Sequence, residues 1–298
     1  MTTQLRFQAP SVELSKLKSL WLNLTESVCN LKCKHCYLSC TQNAKPQNFL
    51  FLDKIKKSLA EAKNFEIEEI CLNGGEPFLH PDINAIIRLA LKYANVIILT
   101  NGTLINDKKA RFLKQIENDH NYELIFRISL DHYTEQKNDE IRGKGSFKKI
   151  TTGIENLIRH GFNPIISAVN IWDEDFDSLK AGFFQLLSKY NIEPDEINLK
   201  IIPPLKIGEY AKNFQPYDEN EFVSQDKMNG VDVTRFDCAN SRVLSNNGIY
   251  ACPALINDPR GKVGNDLSDF SKKCFLEQNA CFTCVKDNKG IFNNIWIN

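Results

Sequence analysis

Short apolar runs alternate with amphipathic segments over residues 19–202, and this alternation limits the fold more than any other feature. The segments between the runs have the three-to-four-residue spacing of helices. An α/β fold with a parallel sheet follows, in which functional groups gather at the carboxyl ends of the strands. Strands are predicted at residues 19–24, 69–73, 96–100, 124–129, 164–169 and 197–202. Helices are predicted at residues 50–62, 81–93, 107–116, 147–160 and 176–190.

A cysteine-rich loop follows the first predicted strand. Cys29, Cys33 and Cys36 are separated by three and two residues. A four-iron cluster is usually held by four thiolates, so three would leave one iron open for a substrate or cofactor. A structural zinc site is the alternative, because zinc takes a closed set of four ligands and closely spaced cysteines often bind it. Since His35 or Cys40 could be the fourth ligand, the loop alone leaves both interpretations open.

Three further motifs follow the next three predicted strands in order. They are Gly74-Gly75-Glu76-Pro77, Thr100-Asn101-Gly102 and Ser129-Leu130-Asp131. With the Cys-x3-Cys-x2-Cys loop they resemble the radical S-adenosylmethionine (SAM) superfamily over about residues 18–205. The resemblance implies an enzyme with a partial (β/α)6 TIM barrel, assigned to residues 1–205, and favours an iron–sulfur cluster over zinc.

The same resemblance implies the cofactors and their chemistry. Cys29, Cys33 and Cys36 would hold a [4Fe–4S] cluster whose open iron binds SAM. An electron from a donor such as flavodoxin or ferredoxin would cleave SAM reductively. The resulting 5′-deoxyadenosyl radical would abstract a hydrogen from the substrate.

Individual SAM contacts are also implied by the family motifs. The glycine pair would allow close backbone approach to the methionine part of SAM. Glu76 would accept a hydrogen bond from the SAM amino group, and Ser129 and Asp131 would contact its carboxylate or ribose. The residues expected to bind SAM are Gly74, Gly75, Glu76, Pro77, Thr100, Asn101, Ser129 and Asp131.

Two histidines depart from the family pattern. His35 stands where relatives commonly have an aromatic residue, and it is expected either to lie over the cluster or to be exposed. His132 replaces the glycine of a common Ser-Leu-Asp-Gly motif, which makes it a candidate substrate contact. His80 is expected to flank its helix.

A second group of cysteines lies near the end of the sequence. Residues 242–245 and 249–252 flank Asn246-Asn247-Gly248, which predicts a β-hairpin, and a helix is predicted at about residues 265–277. Residues 206–298, which include a linker, resemble the Twitch domain. The Twitch domain is a shorter relative of the SPASM domain, and it holds an auxiliary [4Fe–4S] cluster. A four-cysteine zinc site is the alternative. Cys274 is spare or replaces one of the four assigned ligands, which are Cys238, Cys252, Cys281 and Cys284.

Composition excludes several classes of partner and site. Lys plus Arg equals Asp plus Glu, at 37 each, so nucleic acid is not an expected partner. No apolar run approaches the roughly 18 residues of a membrane span, and the N-terminus lacks a signal-peptide core. A cytoplasmic location is therefore expected, where ten cysteines are unlikely to form disulfides.

The resemblance predicts that the substrate is a ribosomally made peptide. Oxidation or dehydrogenation of a small molecule or cofactor precursor is the first alternative, and a non-catalytic iron–sulfur electron carrier or sensor is the second. Too few residues precede the first strand for a leader-binding winged-helix module, which weakens the peptide hypothesis without excluding it. Intact Glu76 and the glycine pair argue against the electron carrier, because a carrier has no need to bind SAM.

Overall fold

The computed structural model describes residues 9–40, 42–43, 45, 49–190, 198–256 and 258–292. Its strands are β1 (Ser11–Val12), β2 (Ser19–Asn23), β3 (Glu69–Asn73), β4 (Asn95–Thr100), β5 (Leu124–Ser129), β6 (Ile165–Val169), β7 (Leu199–Ile202), β8 (Ser241–Ser245), β9 (Gly248–Tyr250), β10 (Lys262–Gly264) and β11 (Cys274–Phe275). Its α-helices are α1 (Leu52–Ala62), α2 (Ile83–Ala90), α3 (Asp107–Asn118), α4 (Glu135–Arg142), α5 (Ser146–Arg159), α6 (Phe176–Ser188), α7 (Glu209–Asn213), α8 (Asp237–Asn240) and α9 (Asn279–Asp287).

One nine-stranded sheet organises the molecule, in the order β10-β9-β8-β2-β3-β4-β5-β6-β7. Every pairing from β2 to β7 is parallel, as predicted. The first residue of the sixth predicted strand, at position 197, lies outside the described residues. β10 and β7 form the two edges of the sheet and do not pair with each other in the described part of the chain, so the barrel is open.

The predicted helices form where sequence signals start them. Asn106 caps α3 by accepting a hydrogen bond from the Lys109 amide (2.8 Å), and Asp175 caps α6 through the Ser178 amide (2.9 Å). Such caps satisfy amide groups that lack partners in the first helical turn. All five predicted helices are present with ends shifted by at most three residues.

The two faces of the sheet carry different residues. Alternate side chains such as Leu20, Leu22 and Ile70 pack against Ile55 and other helix residues on the outer face. On the inner face, a smaller apolar cluster is built from Trp21, Cys71, Ile97, Val243, Ile291, Phe292 and others. The inner face of the sheet therefore carries an apolar cluster that is separate from the core under the helices.

The C-terminal hairpin is confirmed, but it joins the main sheet. β8 and β9 are antiparallel, with Val243 opposite Tyr250. β8 also pairs in parallel with β2, with Ser19 opposite Ser241. The hairpin thus extends the sheet of the barrel beyond its first strand.

The helix predicted at residues 265–277 was wrong. A short 3-10 turn (Leu267–Asp269) and β11 occupy this segment, and β11 pairs with β1. The carbonyls of Phe270 and Lys272 accept hydrogen bonds from the Arg242 side chain (2.6 and 3.0 Å), so they are not used in helical bonds. No helix among the described residues is long and apolar enough to cross a membrane.

Candidate active site

The three loop cysteines line one cavity at the carboxyl ends of the strands. Cys29 is buried, whereas Cys33 and Cys36 are partly exposed. The cavity has a volume of about 180 Å³. Five of the predicted SAM-binding residues also line it, namely Gly74, Gly75, Thr100, Asn101 and Ser129. The neighbouring Asn73, which the sequence did not indicate, lines it as well.

The glycine pair is packed against the chain's own backbone. A Cβ added to Gly75 would lie 2.1 Å from the Val28 carbonyl oxygen, and one added to Gly74 would lie 2.5 Å from Thr25 Oγ1. Gly74 also has a φ of +137°, which favours glycine. The close approach that the pair permits is therefore to the segment that leads into Cys29. The contact with SAM that the sequence suggested stays a prediction.

Glu76 is fully buried and ties two loops together. Its carboxylate accepts hydrogen bonds from Thr100 Oγ1 (2.7 Å), the Asn101 amide (2.9 Å) and the Phe78 amide (3.1 Å). Burial raises the pKa of Glu76, and these three bonds oppose the rise. Neither Glu76 nor the buried Pro77 lines the cavity. Their predicted contacts with SAM remain predictions, while the structure shows Glu76 joining the β3 and β4 loops.

Asp131 also lies behind the cavity wall. Its carboxylate pairs with His35 Nε2 (2.9 Å) and with Arg142 Nε (2.7 Å), and it accepts a bond from the Val169 amide (3.2 Å). Burial alone would raise its pKa, but Arg142 and His35 hold the pKa of Asp131 far below its usual range. Since His35 and Arg142 themselves line the cavity, Asp131 positions two groups that face it. A direct contact of Asp131 with SAM stays a prediction.

The thiols of the loop differ in their ease of ionisation. Burial raises the pKa of Cys29 to about 11 and that of Cys33 to about 12. The Cys40 thiol lies against Cys36 and lowers the pKa of Cys36 to about 6 in spite of burial. A bound metal stabilises thiolates, so the two buried thiols would ionise as iron binds. Cys40, the possible fourth ligand of a zinc site in this loop, thus touches a candidate cluster ligand.

Two buried polar groups in this cavity are suited to contact with a polar cofactor. The Asn73 side chain is 3% exposed, and within the described residues neither polar atom of its amide has a hydrogen-bond partner. His35 Nδ1 is likewise buried and unpartnered there. Buried polar groups are normally hydrogen-bonded, so these two fit a polar cofactor in contact with the cysteine loop. The residues present are consistent with a cluster and SAM.

The other histidines are engaged elsewhere. His132 is 1% exposed, its Nε2 lies 3.1 Å from Glu174 Oε1, and its Nδ1 accepts a bond from the Thr134 amide (2.9 Å). It does not line the cavity, and its contact with a substrate stays a prediction. His80 accepts a bond from the Asp82 amide just before α2, as expected of a helix-flanking residue.

A second cavity collects all five C-terminal cysteines. Cys238, Cys252, Cys274, Cys281 and Cys284 line it together. Cys281 and Cys284 lie three residues apart on α9, which the sequence analysis did not predict, so both thiols share one helix face. The Cys274 thiol lies against Cys238, which lowers the pKa of Cys274. Cys274 is therefore part of this site rather than remote from it.

The two cavities share a wall. Ile291 and Phe292 line both of them. The Phe292 ring lies 5.6 Å from that of Tyr37, beside Cys36, and the Phe292 amide donates to Asp237 Oδ2 (3.0 Å), beside Cys238. Its carbonyl accepts a bond from Arg127 Nη1 (3.2 Å). One residue thus links the surroundings of both cysteine groups.

Sequence reasoning missed both arginines of the first cavity. Arg127 and Arg142 are buried and line it. A charged residue within the otherwise apolar run of β5 was the available signal for Arg127. Nothing local marks Phe292, whose place depends on how the chain end returns to the barrel.

Comparison with known proteins agrees with this arrangement. The profile of the Radical SAM superfamily matches residues 26–174, which is half of the chain and includes every motif described above from Cys29 to Asp131. The chain belongs to the radical SAM superfamily. Among the described residues, no three His, Cys, Asp or Glu side chains converge so as to hold a single metal ion. The thiolates of a radical SAM cluster bind different irons rather than one ion.

Several radical SAM relatives are similar in sequence. The chain is 30% identical to the antilisterial bacteriocin subtilosin biosynthesis protein AlbA of Bacillus subtilis over 64% of this chain and 43% of AlbA. It is 32% identical to the mycofactocin maturase MftC of Mycobacterium ulcerans over 81% of this chain and 69% of MftC. It is 27% identical to the GTP 3′,8-cyclase of Mannheimia succiniciproducens over 70% of this chain and 60% of that enzyme. The chain thus spans less than two thirds of AlbA and of the cyclase.

A solved structure has the same fold. The chain matches anSMEcpe with bound AdoMet at a TM-score of 0.59 and 19% identity, over 85% of this chain and 77% of anSMEcpe. The predicted α/β fold, a partial barrel of the radical SAM type, is confirmed.

Proposed function

We propose that this radical SAM enzyme modifies a ribosomally made peptide and carries an auxiliary [4Fe–4S] cluster in its second cavity. The shared wall of Ile291 and Phe292 carries the proposal. A substrate held in the first cavity would lie one side chain away from the five-cysteine cavity. An auxiliary cluster there can anchor the substrate or accept an electron from it.

In the first cavity, Cys29, Cys33 and Cys36 would hold the SAM-binding cluster. Bound SAM supplies, on one-electron reduction, the radical that removes a hydrogen atom from the substrate. The chain's own residues orient SAM: Asn73, Thr100, Asn101 and Ser129 offer polar side chains. Asp131 holds His35 and Arg142 in place. The electron donor would be a small redox protein such as flavodoxin or ferredoxin.

In the second cavity, we keep Cys238, Cys252, Cys281 and Cys284 as the proposed ligands. Cys274 lies against Cys238 and is the natural substitute for it. We also propose that the barrel domain ends at residue 205 and that a Twitch-like extension follows it. Because β8 of that extension lies beside β2, the second cavity would be fixed to the barrel.

A peptide is favoured by the relatives and by the cavity wall. AlbA is named for bacteriocin biosynthesis and MftC for maturation of mycofactocin. Part of the wall of the first cavity is apolar, lined by Val169, Ile202, Pro203, Pro204, Leu205 and Tyr210. Such a wall suits an apolar side chain of a peptide.

Oxidation of a small molecule is the second candidate. Its small-molecule substrate is favoured by the similarity to the GTP 3′,8-cyclase, whose name gives a nucleotide as the substrate of that enzyme. The rate of SAM cleavage distinguishes the two candidates, since a correct substrate accelerates it. Stimulation by GTP, or transfer of deuterium from a labelled small molecule into 5′-deoxyadenosine, would contradict the peptide proposal. Deuterium transfer from a labelled peptide would support it.

The enzymatic proposal itself predicts SAM cleavage. Reconstituted, dithionite-reduced protein should release 5′-deoxyadenosine, measured by liquid chromatography. Cys33→Ala should abolish the product, because the cluster loses one of three ligands. Cys71→Ala is the control, since Cys71 is buried on the inner face of the sheet and lines neither cavity. Absence of product from the wild type would instead support a non-catalytic iron–sulfur protein.

A further inference from the structure

We propose that Arg242 is the positioning residue that compensates the negative charge of the auxiliary cluster and raises its reduction potential. This inference rests on the proposed auxiliary cluster. It concerns a side chain that no sequence motif singled out.

Arg242 is a fully buried cation. Its side chain, on β8, is 0% exposed. Nε donates to the Phe270 carbonyl (2.6 Å) and Nη2 to the Lys272 carbonyl (3.0 Å). Nη1 donates to the carbonyls of Cys238 and Ser241, both at 2.7 Å. Four of the five guanidinium N–H groups thus bind main-chain oxygens.

These hydrogen bonds are all to neutral carbonyl groups, so they do not neutralise the charge of Arg242. No carboxylate among the described residues pairs with Arg242; the ionisable groups that act on it are Cys274, Cys238 and Cys252. A buried charge is costly unless an opposite charge lies near it. All three cysteines line the second cavity, so thiolates that hold a cluster there would supply the counter-charge.

The same hydrogen bonds hold together the segments that carry Cys238 and Cys274. Arg242 joins the carbonyl of Cys238 to the turn at residues 270–272, which leads directly into Cys274. It therefore brings the backbones on both sides of the Cys238–Cys274 contact together. Loss of the side chain would loosen one wall of the cavity as well as remove a charge.

A nearby positive charge raises the reduction potential of an iron–sulfur cluster. A four-iron cluster with thiolate ligands is negatively charged, and reduction adds one more negative charge. The field of Arg242 favours the reduced form, since net charge and hydrogen bonding set cluster potentials. Removing the positive charge should move the potential to a more negative value.

The test compares three variants of the full-length holoenzyme with the wild type. Arg242→Gln removes the charge, and Arg242→Lys keeps it with fewer hydrogen bonds. Arg159→Gln is the control, because Arg159 lies on α5 of the barrel, is 61% exposed and pairs with Asp107 (3.1 Å). Iron and zinc per chain are measured first. The potential is then read by EPR-monitored titration, taking the auxiliary signal as the one that added SAM does not change.

The expected result is a more negative auxiliary potential in Arg242→Gln, with Arg242→Lys and Arg159→Gln near the wild type. If Arg242→Gln loses the auxiliary iron altogether, its retention by Arg242→Lys supports the charge role. An unchanged potential in Arg242→Gln overturns the inference, as does an equal shift or an equal loss of iron in Arg242→Lys. Zinc in place of iron in the wild-type cavity overturns the proposed auxiliary cluster itself.

Discussion

Two buried carboxylates connect the loops around the first cavity. For each one, the effect of replacing it with a neutral amide can be predicted. Glu76 joins the loops after β3 and β4, while Asp131 joins the cysteine loop to α4 through His35 and Arg142. Each carboxylate accepts its bonds with both oxygens. A neutral amide of the same shape would therefore place an NH₂ group against a donor or a cation.

Glu76→Gln should destabilise the protein by about 1–3 kcal/mol, since one amide end would face a donor and leave a buried group unsatisfied. Urea unfolding of wild type and variant, handled identically, measures the difference. Glu140→Gln, at an exposed position of α4, is the control and should change stability by less than about 0.5 kcal/mol. Equal stability of Glu76→Gln and the wild type would show that the carboxylate does not hold the two loops.

Asp131→Asn should cost about 3–5 kcal/mol at neutral pH, because Arg142 would be left as a buried cation without its partner. The pKa of Asp131 is lowered in the folded protein, chiefly by Arg142 acting against burial. Its stabilising effect is therefore fully present above the ordinary Asp pKa of about 4 and is lost as the pH falls through the folded value.

The stability difference between wild type and Asp131→Asn should consequently narrow in acid. Urea unfolding at pH 7 and at several values below about pH 4 measures it. A difference that stayed constant or widened as the pH fell would mean that the ion pair does not carry the effect.

At the level of elements, the loop after β3 packs against the start of the cysteine loop. The Glu76 amide donates to the Val28 carbonyl (2.9 Å), and Gly75 lies directly against the same peptide group. The residue before Cys29 is thus held by the β3 loop. The position of one cluster ligand depends on a glycine more than forty residues away.

Gly75→Ala should push Val28 and Cys29 away from the cavity, because the new Cβ would lie 2.1 Å from a main-chain oxygen. A cost of about 1–3 kcal/mol and partial loss of iron at the first site are expected. Gly230→Ala is the control: its φ of +75° strains the backbone, but no atom lies within 4 Å of the new Cβ. It should keep its iron. Full iron retention by Gly75→Ala would contradict the proposed support.

The elements of the barrel were predictable because each strand is a short run of mainly apolar residues between helical segments. β3 and β5 match the predicted bounds at both ends, and both lie between two other strands. The segment at residues 265–277 was not predictable, because distant Arg242 takes the carbonyls that a helix would need. The pairing of His132 with Glu174 was not predictable for a similar reason, because the two residues lie 42 positions apart in the sequence.

At the scale of the whole molecule, the relation between the two cysteine groups is the main result. The sequence predicted each group separately, from its spacing and family resemblance. It did not predict that β8 would lie beside β2, or that Ile291 and Phe292 would form a wall common to both cavities. These contacts join segments of the chain that are more than 200 residues apart.

The most direct test of the two-site account is the amount of iron and acid-labile sulfide per chain after anaerobic reconstitution. The wild type should hold about eight irons, and about four should remain in Cys33→Ala and in the double variant Cys281→Ser with Cys284→Ser. The remaining cluster should differ between the two variants, since only the double variant keeps a signal that SAM changes. About four irons in the wild type, with no further loss in the double variant, would contradict the account.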